Sequence, residues 1–134
     1  MQTNPMLTLA DVNDILAAAR AEAERNGWAV AIAVVDDGGH PLGLTRLDGA
    51  TAISAYIAIE KARTSALGRR ESNGYEEMIN GGRVAFLSVP LTAMLEGGVP
   101  VVVNGQCIGA VGVSNVQPHQ DAQIARAGAS SIAS

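Results

Sequence analysis

A β-hairpin predicted over residues 99–113 constrains the fold more than any other feature of this sequence. Two apolar runs flank Asn104 and Gly105, the dipeptide most typical of a tight turn between antiparallel strands. Gly109 and Gly112 fall inside the second strand, where a glycine indicates close approach of another backbone or of a ligand. The fold must therefore place another segment tightly against this strand.

A second hairpin is predicted earlier in the chain. Residues 28–35 are nearly all apolar and rich in valine and isoleucine, which favours a strand covered on both sides. The turn falls at residues 37–39, where two glycines reach the positive φ angles that hairpin turns need. Residues 40–46 form the returning strand, with Pro41 at its start or on a sheet edge.

Helical spacing of apolar residues predicts that helices cover this antiparallel sheet. Thr8 caps the first helix, and Asp11 three positions later completes a capping box. The sequence predicts helices over residues 8–26, 50–67 and 72–80, a short strand and an irregular loop within 84–95, and a last helix from Pro118 to about residue 132. The fold class is α/β, of the α+β type, in one domain spanning residues 1–134, without linkers or repeats.

The charge content indicates what kind of partner this chain has. Charged residues make up 16% of the sequence, against about 25% in an average soluble domain, so we expect copies of the chain to cover part of its surface in a homo-oligomer. The net charge of −4 argues against nucleic acid. With no secretory signal and no apolar run of about 20 residues, we expect no membrane association and a cytoplasmic location.

His40 is the first candidate for chemistry. A neutral imidazole binds iron and serves as a general acid or base near neutral pH. The alternative is an ordinary surface histidine at a turn.

Four other residues are candidates for binding or proton transfer. Arg46 ends the returning strand, and Lys61 lies in an otherwise apolar helix, where a buried ammonium would need Asp36 or Asp48 as partner. Glu96 precedes two glycines in the irregular loop, and His119 lies in the first turn of the last helix. Each also has an ordinary structural interpretation, because isolated charged residues are usually solvated.

Several short motifs, in order and spacing, make the sequence resemble the GlcG/HbpS family, haem-binding or haem-degrading domains similar to the C-terminal domain of PduO-type cobalamin adenosyltransferases. The motifs are AVVD at 33–36, GGHPL at 38–42, RLDGA at 46–50, KARTSA at 61–66, GGVPV at 97–101, GQ at 105–106, IGAVGVS at 108–114, QD at 120–121 and ARAG at 125–128.

The resemblance implies a profilin-like fold, with a five-stranded antiparallel sheet between helical layers, and homo-oligomers from dimers to octamers. It also implies haem as cofactor, with His40 as the iron ligand and Arg46 or Lys61 pairing with the propionates, and roles in haem binding, degradation or redox sensing. Two features depart from the family pattern: His119 stands where relatives usually carry glutamate or another polar residue, and aromatic residues make up only 3% of the chain.

Two other functions remain open from the sequence. The first is a cofactor-free enzyme, of the proton-transfer, isomerase or lyase type, acting on a small metabolite at a subunit interface. There, Arg46 or Lys61 would hold a carboxylate, and His40, His119 or a glutamate such as Glu96 would move protons. The second is a structural or accessory role based on oligomerisation.

Overall fold

The structure is a computed structural model that describes residues 1–132. Within these residues, four helices, four strands and one 3₁₀ turn follow one another. They are α1 (Leu9–Arg25), β1 (Ala31–Asp36), β2 (Pro41–Arg46), α2 (Ala52–Gly68), α3 (Asn73–Asn80), the 3₁₀ turn (Val84–Ser88), β3 (Gly98–Val103), β4 (Gln106–Ser114) and α4 (Pro118–Ala129).

Both predicted hairpins are confirmed, and together they make one antiparallel sheet. The strand order is β2-β1-β4-β3, so the two hairpins join through β1 and β4 in the middle of the sheet. The predicted capping box of α1 is also confirmed, because the Thr8 backbone N–H donates to Asp11 at 2.9 Å and the Asp11 N–H donates back to the Thr8 hydroxyl at 3.2 Å.

The two faces of the sheet are packed with side chains of different size. Helices α1 and α4 cover one face through a core of valine and isoleucine that includes Ile15, Ile32 and Ile124. Helix α2 covers the other face, where its alanines meet the alanines of β1 and β4. Small side chains on both sides let α2 lie close to the strands.

The predicted close approach at the β4 glycines is confirmed. A methyl group on Gly112 would overlap the Ala58 carbonyl oxygen of α2 and lie 2.5 Å from the Ala62 nitrogen. A methyl group on Gly109 would overlap the Val35 carbonyl oxygen of β1. Glycine at position 112 is therefore what lets the α2 backbone rest on the sheet.

Two expectations about the strands are wrong. The sheet has four strands within residues 1–132, not five, and residues 84–88 form a 3₁₀ turn instead of a strand. The Phe86 N–H bonds to the Arg83 carbonyl three residues back, and the Phe86 ring stacks on Tyr75 with centroids 5.1 Å apart. This side-chain stack holds the segment against α3 and away from the sheet.

Helix ends shift by a few residues from the prediction. The last helix ends at Ala129 instead of continuing to residue 132, and a turn follows in which the Ser131 N–H bonds to the Gly128 carbonyl three residues back at 3.1 Å. Within the described part of the chain, every helix is too short or too polar to cross a bilayer.

We expect Gly112→Ala to lower the free energy of unfolding by about 2–3 kcal/mol, because the added methyl group collides with the α2 backbone. Urea denaturation measures the change. The control is Gly81→Ala at the end of α3, where φ is −77° and the added methyl group lies 3.2 Å from the Glu77 carbonyl oxygen, so the transition midpoint should stay close to that of the native chain. Equal midpoints for all three proteins would show that α2 does not need this glycine.

Candidate functional site

The turn between β1 and β2 folds His40 onto Asp36. The Asp36 Oδ1 atom accepts hydrogen bonds from the Gly38 backbone N–H at 3.0 Å and the His40 backbone N–H at 2.9 Å. The His40 Nδ1 atom lies 3.0 Å from the same oxygen and 3.2 Å from Oδ2. Three donors from one turn therefore converge on one carboxylate.

This convergence fixes the charge of Asp36 and the tautomer of His40. Partial burial alone would raise the pKa of Asp36, but the hydrogen bonds from His40 and Gly38 outweigh it and hold the pKa below its ordinary value. An ionised carboxylate only accepts, so the neutral imidazole must carry its hydrogen on Nδ1. The Nε2 lone pair then has no hydrogen-bond partner among residues 1–132, and 78% of the His40 side chain is accessible to solvent.

A shallow cleft of about 290 Å³ separates this turn from α2. Its lining joins the turn and the start of β2 to one side of the helix, through Gly38, Gly39, His40, Pro41, Ile59, Glu60 and Arg63. The volume lies at the small end of the range for ligand sites.

A cation held in a fixed position forms the helical wall of the cleft. The Arg63 Nη1 atom donates to both Glu60 oxygens, at 3.1 and 3.2 Å. The Thr92 hydroxyl donates to Glu60 Oε2 at 2.8 Å, and the loop that carries it is tied to α2 because the Thr64 hydroxyl donates to the Ala93 carbonyl at 2.8 Å. The cleft thus places an imidazole opposite a guanidinium.

An exposed apolar surface continues from the cleft along β2. In the register of the hairpin, Leu44 pairs with Ala33 and Arg46 with Ala31, so both project from the face of the sheet that α2 covers. Leu42 and Leu44 are nevertheless exposed, as is Tyr56 of α2. Helix α2 lies over the central strands and leaves this edge of the sheet uncovered.

Arg46 does not lie in the cleft. It is exposed at the far end of β2 from His40, a separation of about 20 Å along an extended strand.

Lys61 is placed inside the protein, only 4% exposed, and not in the cleft. Its ammonium donates to the Asp121 Oδ2 atom and to the Val113 carbonyl, both at 3.0 Å. The expectation that Asp36 or Asp48 would be its partner is wrong, because the partner comes from α4. Lys61 therefore joins α2, β4 and α4, and two of its three N–H donors are committed within the fold.

The carboxylate of Asp121 is equally buried. Burial raises its pKa above the ordinary value, and the charge and hydrogen bond of Lys61 only partly offset this. The other oxygen, Oδ1, accepts from the Val116 backbone N–H at 3.2 Å. The pair is thus a buried ion pair with further hydrogen bonds at both ends.

The two remaining candidates lie outside the cleft. His119 is exposed in the first turn of α4. Glu96 is half-buried near Arg126, whose pKa is raised chiefly by its hydrogen bond to Glu71. Of the five predicted site residues, only His40 therefore lines the cleft.

Asp36, Glu60 and Arg63 were missed as site residues. The spacing of Asp36 and His40 across a glycine turn could have indicated their contact, and Glu60 and Arg63 stand one helical turn apart. Nothing local in the sequence indicates that the turn and the helix meet.

Comparison with known proteins identifies relatives over nearly the whole chain. A family model described as "Haem degrading protein HbpS-like" matches residues 7–130. "Protein GlcG" of Escherichia coli strain K12 is 60% identical over 114 residues, which make up 85% of this chain and 85% of that protein.

Two solved structures share the fold. The crystal structure of HbpS is 30% identical with a TM-score of 0.91, covering 100% of this chain and 95% of that chain. The crystal structure of a PduOC:Heme complex is 23% identical with a TM-score of 0.84, covering 96% of each chain, and this likeness shows the fold alone.

We expect Lys61→Met to lower the free energy of unfolding at neutral pH by about 3–5 kcal/mol, because it leaves a buried carboxylate without its cation. Removing Lys61 raises the folded-state pKa of Asp121 further, so the folded chain takes up a proton more readily than the unfolded one. The loss of unfolding free energy relative to the native chain should therefore be largest above that raised pKa and should become smaller toward acid pH. Urea titrations across pH measure it.

The matched control adds Asp121→Asn to Lys61→Met, which removes the unpaired charge. This double variant should recover part of the lost stability at neutral pH. A deficit that is independent of pH, and unchanged in the double variant, would contradict an ionised Asp121.

Proposed function

Because the chain belongs to the HbpS-like family, we propose that it is a homo-oligomeric haem-binding protein in which His40 is the iron ligand. The observation that supports this most is the Asp36–His40 hydrogen bond at 3.0 Å. A histidine that ligates a metal usually donates its other ring N–H to a carboxylate or carbonyl, which fixes the ring and raises its basicity. His40 has this arrangement, in a side chain that is largely accessible to solvent.

A single imidazole suits haem better than a free metal ion. Among residues 1–132, no three histidine, cysteine, aspartate or glutamate side chains are gathered around a common metal position. Haem iron needs only axial ligands from the protein, whereas an isolated ion needs several protein donors. A single histidine without neighbouring metal-binding side chains therefore favours haem over a free metal ion.

The surroundings of His40 offer apolar contact on one side only. Pro41 and Ile59 line the cleft, and the exposed Leu42 and Leu44 extend it along β2. The cleft of about 290 Å³ would cover only part of a haem macrocycle. We propose that a second copy of the chain covers the rest, in an assembly between a dimer and an octamer.

Each residue then has a defined task. His40 supplies the ligating nitrogen, Asp36 holds the imidazole in the required tautomer, and Arg46, at the far end of the same face, is available to a propionate. Haem, when bound, would supply redox and oxygen chemistry. The exposed position of His40 leaves that chemistry open to small reactants.

We expect His40→Ala to weaken haem binding by about 10-fold or more and to shift the Soret maximum, because the iron loses its protein ligand. Asp36→Asn keeps the imidazole but weakens its orienting contact, and should cost about 10–100-fold. Haem titration followed by absorption measures both. The control is His119→Ala, and spectra and affinities of His40→Ala identical to those of the native chain would remove His40 as the ligand.

The same geometry favours a second candidate function, a cofactor-free enzyme that moves a proton on a small carboxylate. An imidazole oriented by a carboxylate is the arrangement of a general base, and the cleft brings a guanidinium to the same space. Its volume admits a small metabolite without a second subunit.

For this second function, haem-free and metal-free protein should catalyse hydrogen exchange into a small carboxylate in deuterated water, followed by proton NMR. His40→Ala should slow the exchange about 100-fold, since a general base contributes on this order. No exchange across a panel of small carboxylates would exclude this function.

A further inference from the structure

We infer that Arg63 is the carboxylate anchor of the His40 cleft, binding either a haem propionate or a free small carboxylate through its Nε and Nη2 atoms. The inference deepens the proposed function and rests on His40 being the centre of the site. It assigns a binding role to a residue that the sequence did not single out as a site residue.

The donor atoms of Arg63 are unequally used. A guanidinium carries five N–H groups, and its Nε and Nη2 form a planar fork that matches the two oxygens of a carboxylate. The hydrogen bonds of Arg63 within the described residues all leave from Nη1, toward Glu60. The Nε–Nη2 fork is therefore unused by residues 1–132.

Arg126 shows what this fork does when a carboxylate reaches it. Its Nε donates to Glu71 Oε2 at 3.2 Å, and its Nη2 donates to Glu71 Oε1 at 2.8 Å. This is the bidentate geometry typical of arginine with a carboxylate. Arg63, whose side chain lines the cleft, carries the same two donor atoms.

The contacts of Arg63 hold it in place without filling the fork. Glu60 is engaged twice by Nη1 and once by the Thr92 hydroxyl, so its carboxylate acts as a fixed support. Support of this kind lowers the entropy cost of binding, because the guanidinium is already ordered.

Gly39 keeps the space beside the fork open. Its φ of +81° and its missing side chain let the turn pass directly over Arg63. A methyl group there would lie 3.4 Å from Arg63 Cγ and 3.5 Å from Nε, in the space beside the donor. The turn thus brings His40 to the cleft while leaving Arg63 accessible.

The charges of the cleft permit an anion at this position. Arg63, Glu60 and His40 line the cleft, Asp36 pairs with His40, and Asp37 is exposed in the same turn. The carboxylates that contact the lining side chains are already satisfied, Asp36 by three donors of the turn and Glu60 by Arg63 and Thr92. A bound carboxylate would meet the free fork on one side and the imidazole on the other.

The first test uses propionate as probe and the two imidazole C2–H resonances as reporters. At constant ionic strength and pH, propionate should shift the His40 resonance of haem-free protein saturably, with His119 as internal reference. Arg63→Gln should abolish the shift, and Arg63→Lys, which keeps the charge but loses the fork, should weaken binding about 10-fold. Arg20→Gln removes an exposed arginine of α1 that pairs with Glu24 at 3.2 Å, and as the matched control it should respond as the native chain does.

The second test separates the two sources of the carboxylate. Arg63→Gln should weaken haem binding about 10-fold, whereas haem dimethyl ester, whose propionates are blocked, should bind equally to both proteins. If haem binds the native chain and neither haem nor propionate distinguishes Arg63→Gln, the inference is overturned and the haem proposal stands. If haem fails to bind but the propionate response depends on Arg63, the haem proposal falls and the inference stands.

Discussion

The contact between α2 and β4 is the constraint on which the rest of the structure depends. Gly112 and the alanines at 58 and 62 bring the helix backbone against the strand, and the Lys61–Asp121 ion pair crosses the same junction to α4. Glu60 and Arg63 belong to the same stretch of α2 as these two alanines. The depth at which α2 packs therefore sets where the guanidinium stands relative to the turn that carries His40.

The features that could be predicted from sequence are those fixed by neighbouring residues. The two hairpins follow from glycine turns between apolar runs, and the capping box of α1 involves only Thr8 and Asp11. The glycines of β4 predicted a close approach but not the segment that approaches, because no local pattern names a partner. His40 could be predicted as a candidate because its position directly after a glycine turn is visible in the local sequence.

The features that could not be predicted depend on contacts across long stretches of chain. Lys61 and Asp121 are 60 residues apart, and Thr92 reaches Glu60 from 32 residues away. Both candidate partners expected for Lys61 were carboxylates closer in sequence, and tertiary packing selected neither. The predicted fifth strand is absent from residues 84–88 for a related reason. Phe86 stacks on Tyr75, and this contact places the segment against α3 instead of at the sheet edge.

The site has two parts that form in different ways: the turn that pairs Asp36 with His40, and Arg63 on helix α2. Asp36 and His40 meet through contacts within five consecutive residues, so the first hairpin alone completes their pairing. Arg63 reaches the cleft only after α2 has docked on strands from both hairpins. Pairing His40 with Asp36 therefore costs less chain entropy than bringing Arg63 to the cleft, since contacts distant in sequence form at a greater entropic cost. The two parts also differ in what they tolerate: the turn could be grafted onto another hairpin with its imidazole pairing intact, whereas the anchor belongs to this fold.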